Sequence, residues 1–138
     1  MKNKFQNQIA AKLVFIVIIF MYASIASAQH APPWNVPKRA INKKNPFPAD
    51  IYSLERGKNS YQLDCVRCHG KDGKGDGLNA DKVHKQITDL GSDKVQKETD
   101  GQLFWKISEG RRPMPLTDLT NDQRWDIVNY IRTFKKKE

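Results

Sequence analysis

The sequence predicts an all-α fold, a small bundle of helices gathered around one short cysteine–histidine turn and preceded by an extended arm. Three observations carry this expectation. Apolar residues recur at helical spacing in three separate stretches after residue 50. The stretch before it is broken by Pro32, Pro33, Pro37, Pro46 and Pro48, which exclude a long helix. The only two cysteines of the 138 residues, Cys65 and Cys68, stand three apart with His69 directly behind.

Taken in order, residues 1–28 read as a secretory signal peptide. Lys2, Lys4 and Lys12, with no acid among them, lead into an apolar run over residues 13–21, and Ala26-Ser27-Ala28 closes it with small residues, so cleavage is expected after Ala28. The rival reading, an uncleaved membrane anchor, asks for about 20 apolar residues, and this run is far shorter. No cysteine follows it to take a lipid. Cleavage would leave about 110 residues starting at Gln29. The formal charge of the whole chain is +9; the signal holds three of the 24 basic residues and none of the 15 acidic ones, so +6 remains. A basic surface on an exported chain suits an acidic protein partner or an anionic membrane surface. Nucleic acid fits poorly, because no recognition motif accompanies the charge.

Residues 29–50 form the proline-rich arm. It either lies across the domain with Trp34 and Phe47 as anchors or is a partly disordered leader. Residues 51–138 form the domain proper. Its first helix is expected from near Ser53 into the cysteine motif, with Gly57, Tyr61 and Cys65 four apart on one face. A glycine inside a helix costs about 1 kcal/mol unless another backbone needs the room. The second explanation is expected, with the last helix as the partner.

The motif Cys65-Val66-Arg67-Cys68-His69 has the C-x-x-C-H spacing that attaches a c-type haem. Two thiols on one helical turn add across the two porphyrin vinyl groups, and the adjacent imidazole reaches the iron from the same side. Zinc would need further Cys or His ligands at short spacing, whereas His30 and His84 are isolated. A thioredoxin-like dithiol would follow a buried strand, yet an amphipathic helix precedes Cys65. A structural disulfide would close too small a loop to stabilise much and would leave His69 unexplained. Covalent attachment of this kind takes place outside the bacterial cytoplasmic membrane, which agrees with export to the periplasm or its equivalent. A large apolar cofactor would also supply core that so short a chain lacks.

The glycine-dense stretch over residues 70–77 lacks the G-K-[ST] of a phosphate loop and the terminal Glu of an EF-hand, since Val83 stands there. It is expected to turn the backbone tightly beside the porphyrin. Residues 78–97 are polar, with a short turn of helix and Leu90 as the best core candidate. A middle helix should open at Thr99 or Asp100 and close at Gly110, burying Leu103, Phe104 and Ile107. Trp105, Arg111 and Arg112 have two readings each, contact with a haem propionate or ordinary packing. Met114 is the one methionine left once the signal is removed, and Pro113 and Pro115 pin it in a non-helical loop. Given the haem, it is the expected sixth ligand, with His84 as the rival. The last helix opens with the capping box Thr120-Asn121-Asp122-Gln123 and presents Trp125, Ile127, Val128, Tyr130, Ile131 and Phe134. Its Ile127 and Tyr130 stripe should cross the first helix near Gly57 and Tyr61. Lys135-Lys136-Lys137 is a solvated tail that also suits a helix C-terminus.

In this order, signal peptide, helix with Gly57 and Tyr61, Cys65-Val66-Arg67-Cys68-His69, middle helix, Pro113-Met114-Pro115 and final helix with Trp125 and Tyr130, the chain resembles a bacterial monohaem class I cytochrome c. The resemblance covers nearly all of residues 50–134. It implies a small all-α cytochrome c bundle around one covalently bound haem c, with the N- and C-terminal helices crossing nearly at right angles. It also implies porphyrin attachment at Cys65 and Cys68, proximal ligation by His69 and distal ligation by Met114. Relatives often carry proline where Leu78 stands and again near Ile87, where a backbone carbonyl orients the proximal imidazole, so the partner of His69 is left open.

The activity implied is one-electron transfer between redox partner proteins docking at the exposed haem edge, with no enzymatic step. Met/His ligation raises the potential relative to other ligand pairs. Lys71, Lys74, Arg111 and Arg112 would guide weak docking on acidic partners. Membrane contact is expected only through a respiratory complex or an uncleaved signal segment. Two alternatives stand beside the carrier: a fixed subunit of a respiratory or denitrifying complex, and a haem enzyme or gas sensor with an open sixth position.

Overall fold

The computed structural model describes residue 12, residues 33–83 and residues 86–136. Apart from Lys12, the signal segment lies outside the described residues, as do His30 and His84. The chain divides into two compact units, residues 1–33 and 34–138. Within the second, the regular structure among the described residues is helical: α1 (Lys38–Ile41), α2 (Ile51–Asp64), α3 (Val66–His69), a single 3-10 turn at Ala80–Lys82, α4 (Asp93–Gln96), α5 (Asp100–Glu109) and α6 (Asn121–Arg132). The expected all-α class is therefore what the chain adopts. Among the described residues no helix is long and apolar enough to cross a membrane.

Helix boundaries follow local chemistry. Helix α2 starts at Ile51, two residues before the expected position, because the Asp50 carboxylate accepts the Ser53 N–H at 2.8 Å and satisfies an orphan donor of the first turn. Helices α5 and α6 both open with a complete capping box, Thr99 with Gln102 and Thr120 with Gln123. Gly110 closes α5 with φ 59°, a conformation side chains avoid.

Helix α6 is the centre of the packing. Trp125, Ile127, Val128 and Ile131 are buried against Leu103, Phe104 and Ile107 of α5, Val95 of α4, and Leu119. The Phe104 and Trp125 rings stack with centroids 4.0 Å apart. On its other side α6 meets α2 at Gly57. A Cβ there would overlap the Asp126 carbonyl oxygen and carbon, and would touch Tyr130 Cβ at 3.0 Å. The glycine thus marks the close approach of two backbones, as its place on the stripe indicates. One helical turn on, Tyr61, Tyr130 and Phe134 form a mutual aromatic cluster with centroids 5.1 to 5.4 Å apart.

Between the same helices lies a polar network that helical periodicity does not reveal. Asp126 is buried, accepts from Ser53 Oγ at 2.6 Å and from Arg56 Nε at 2.7 Å, and the neighbouring Asn129 Nδ2 donates to Ser53 Oγ at 2.8 Å. Arg56 is half-exposed and can return to water, so the network's weight rests on Ser53, Asp126 and Asn129. Asp126→Ala removes the acceptor from the buried Ser53 hydroxyl, which Asn129 also contacts, and from the half-exposed Arg56. The expected loss is about 2 kcal/mol, read from the urea midpoint of the folded protein.

The arm lies across the domain rather than forming a leader, at least from Trp34 onward. A single helical turn, α1, interrupts its extended course after Pro37, and buries Ala40. Ile41 O accepts from Thr99 Oγ1 at 2.8 Å, and Asn45 Nδ2 donates to Asn129 Oδ1 at 2.9 Å. Asn129 Nδ2 also donates to the carbonyls of Phe47 and Pro48, and the Phe47 ring packs on the core. Trp34 meets Trp105 edge to face.

Candidate haem-binding site

The last turn of α2 delivers Cys65, whose N–H donates to Tyr61 O at 2.9 Å. The Cys65 carbonyl then accepts from both Cys68 N–H, at 3.1 Å, and His69 N–H, at 2.9 Å. Both thiols and the imidazole are therefore carried on one closed turn. The cysteines are not joined as a disulfide.

A helix as short as α3 leaves its carbonyls without intrahelical donors. The glycine loop supplies them. Gly70 turns the chain at φ 75°, after which Gly75 N–H donates to His69 O at 2.8 Å, Gly77 N–H to Cys68 O at 3.2 Å and Asn79 N–H to Arg67 O at 2.7 Å. The Tyr61 hydroxyl, itself buried, donates to Gly70 O at 2.7 Å and ties the loop back to α2. Burial raises the Tyr61 pKa well above the ordinary phenol value, so this group stays a donor at neutral pH.

The same loop sets the surroundings of His69. A Cβ on Gly75 would meet Ile87 O at 2.5 Å, so its absence lets residues 87–88 close on the turn. Burial is the larger influence on His69 and lowers its pKa, favouring the neutral imidazole that binds metals. The backbone of Thr88 lies beside the ring and works in the other direction, although Nδ1 has no partner within hydrogen-bonding geometry. Thr88, next to Ile87, thus occupies the place where the resemblance puts an orienting carbonyl. Burial also pushes the Cys65 thiol up to about 12, with smaller contributions from Asp64 and Cys68. Such a thiol is protonated at neutral pH, the reverse of a reactive redox dithiol.

Met114 comes from a different part of the chain, the loop between α5 and α6. It is half-buried and packs against the core cluster. Its backbone pairs with Arg111 in both directions, Arg111 N–H to Met114 O at 3.0 Å and Met114 N–H to Arg111 O at 2.8 Å. Trp105 and Arg111 face the arm: the Arg111 guanidinium lies over the Trp34 ring.

These donors fit haem c better than a bare metal ion. Two thiols and an imidazole on one turn match the vinyl groups and iron of a porphyrin, and no group of three or more His, Cys, Asp or Glu among the described residues is placed to hold a metal. Two large apolar side chains close to the donors in sequence are exposed, Leu78 after the glycine loop at 92% and Leu116 after Met114 at 70%. The family model for cytochrome c matches residues 54–135, from α2 to the end of α6 and beyond.

The chain belongs to the cytochrome c family. Members carry covalently bound haem c, which assigns haem and haem-based electron transfer to this cytochrome c. Among solved structures it is similar to a chain of the Kuenenia stuttgartiensis reducing HAO-like protein complex, with TM-score 0.61 and 22% identity over 78% of this cytochrome c and 52% of that chain. The cytochrome therefore spans about half the length of that neighbour, and at this identity the likeness shows the fold alone. A comparison with curated proteins returns no match.

Proposed function

We propose that this cytochrome c is an exported, periplasmic carrier of single electrons, with one haem attached through Cys65 and Cys68 and held between His69 and Met114. The observation that carries this reading is the single capped turn bearing both thiols and the imidazole. When bound, the haem supplies a one-electron couple. The chain's own residues do the rest. Cys65 and Cys68 would hold the porphyrin to the turn that they share with His69. His69, kept neutral by burial, presents a ring nitrogen as proximal ligand, and the carbonyl caps from Gly75 and Gly77 stop that turn from fraying. Met114 offers a thioether, a neutral soft donor. With His69 and Met114 both holding the iron, the chain would leave no position open to a substrate, as suits a carrier rather than an enzyme or gas sensor.

Partners are redox proteins docking at the haem edge. Lys71, Lys74 and Arg112 are exposed and supply positive charge near the turn and the Met114 loop; without the signal segment the formal charge is +6. Electrostatic steering of this kind weakens as ions screen it. Raising salt from about 0.01 M to about 0.15 M should lower the second-order rate constant of electron transfer to an acidic redox protein about tenfold. A rate constant that does not change with salt would remove the steering part of the proposal.

A second reading, a fixed subunit of a respiratory or denitrifying complex, has its support in the neighbour being part of a protein complex. Size exclusion of native material separates the two: a carrier elutes at the size of the chain alone, a subunit with its complex.

A further inference from the structure

The arm reaches the Met114 loop through one side chain. Trp34 stands edge-on to Trp105, centroids 5.9 Å apart at 84°. The Arg111 guanidinium sits over the Trp34 ring at 4.3 Å and the Lys106 ammonium at 5.7 Å. Arg111 in turn holds Met114 by both of its backbone hydrogen bonds. A continuous line of contacts therefore runs from the arm's indole, through Arg111, to the thioether-bearing residue. Trp34 and Arg111 are both half-buried, where partial exclusion of water strengthens a cation over an aromatic face. The arm is anchored further along, where Thr99 and Asn129 donate to its carbonyls.

We propose that Trp34 is a positioning residue for Met114: the indole clamps Arg111 and so keeps the Arg111–Met114 bridge closed. The consequence for the cofactor rests on the reading of Met114 as a haem ligand. An arm lying outside the haem-attaching turn then sets how firmly the sixth ligand is held. Anything that lifts the arm would loosen that ligand.

The test uses the haem-loaded protein and two readouts: amide hydrogen exchange at Arg111 and Met114, with Ile127 in the α6 core as reference, and the affinity of the ferric protein for imidazole, which competes with Met114. Trp34→Ala and Arg111→Gln should each speed Met114 exchange about tenfold relative to Ile127, and each should tighten imidazole binding by a similar factor. Trp34→Phe, which keeps an aromatic face, should stay near the wild type in both. Unchanged Met114 exchange in the Trp34→Ala and Arg111→Gln proteins would overturn the proposal, as would faster exchange with no gain in imidazole affinity. Should Trp34→Ala fail to fold, Arg111→Gln decides alone, since it leaves the arm's other anchors in place. Met114→Ala separates the two claims. Imidazole affinity equal to the wild type's would sink the ligand reading, and the exchange rates would still decide whether Trp34 holds the loop.

Discussion

The double substitution Cys65→Ala, Cys68→Ala is expected to abolish covalent haem retention altogether, so that acidified organic solvent strips all the colour from the protein. Each single substitution should keep the haem through the remaining thiol. The reason is geometric: Cys65 closes α2 and its carbonyl accepts from Cys68 and His69, so the two sulfurs leave one rigid turn side by side. Folding should suffer as well. A group bound only by the folded state adds to stability by mass action. Haem that stays fixed to the double variant after extraction would show that attachment does not run through these thiols.

Gly57→Ala is the second large effect. Alanine favours a helix interior over glycine by about 1 kcal/mol, so propensity alone predicts a more stable protein. Packing predicts the opposite, because the new methyl would occupy the Asp126 carbonyl, a backbone group that cannot swing aside. The helices must separate, and the Tyr61, Tyr130 and Phe134 cluster and the Ser53–Asp126 bond open with them. A net loss of about 3 kcal/mol is expected from overpacking of this kind, measured as a fall in the urea midpoint. Lys58→Ala, one residue on and exposed, should leave the midpoint where it was. A Gly57→Ala protein as stable as the wild type would mean that α2 and α6 do not meet at this point.

The two helices that cross at Gly57 were legible because periodicity writes them twice, once in the i, i+4 row of Gly57, Tyr61 and Cys65 and once in the Ile127 and Tyr130 stripe. The ends of α5 and α6 are equally plain, since a threonine followed three residues later by glutamine satisfies orphan N–H groups whatever the tertiary context. Cys65, Cys68 and His69 needed only their spacing. What stayed hidden depends on partners remote in sequence. Nothing in the neighbouring Trp125 and Ile127 marks Asp126 as buried, and its burial makes sense only once Ser53 and Arg56 are brought opposite. The course of the arm is held by side chains on backbone carbonyls, Thr99 on Ile41 and Asn129 on Phe47, which have no period to detect. The neighbour of His69 is a backbone group at Thr88, brought in by the bare Cα of Gly75, and no side chain announces it.

The claim on which the carrier reading turns is that the chain occupies both axial positions of its iron. The visible spectrum of the ferric, haem-loaded protein, taken before and after Met114→Ala, tests it most directly. Ligation by Met114 gives a weak absorption at the red edge of the spectrum in the wild type that disappears in the variant, while the variant gains ready binding of added imidazole. A wild-type protein without that absorption, or a variant that keeps it, would contradict ligation by Met114 and reopen the case for an iron accessible to substrate.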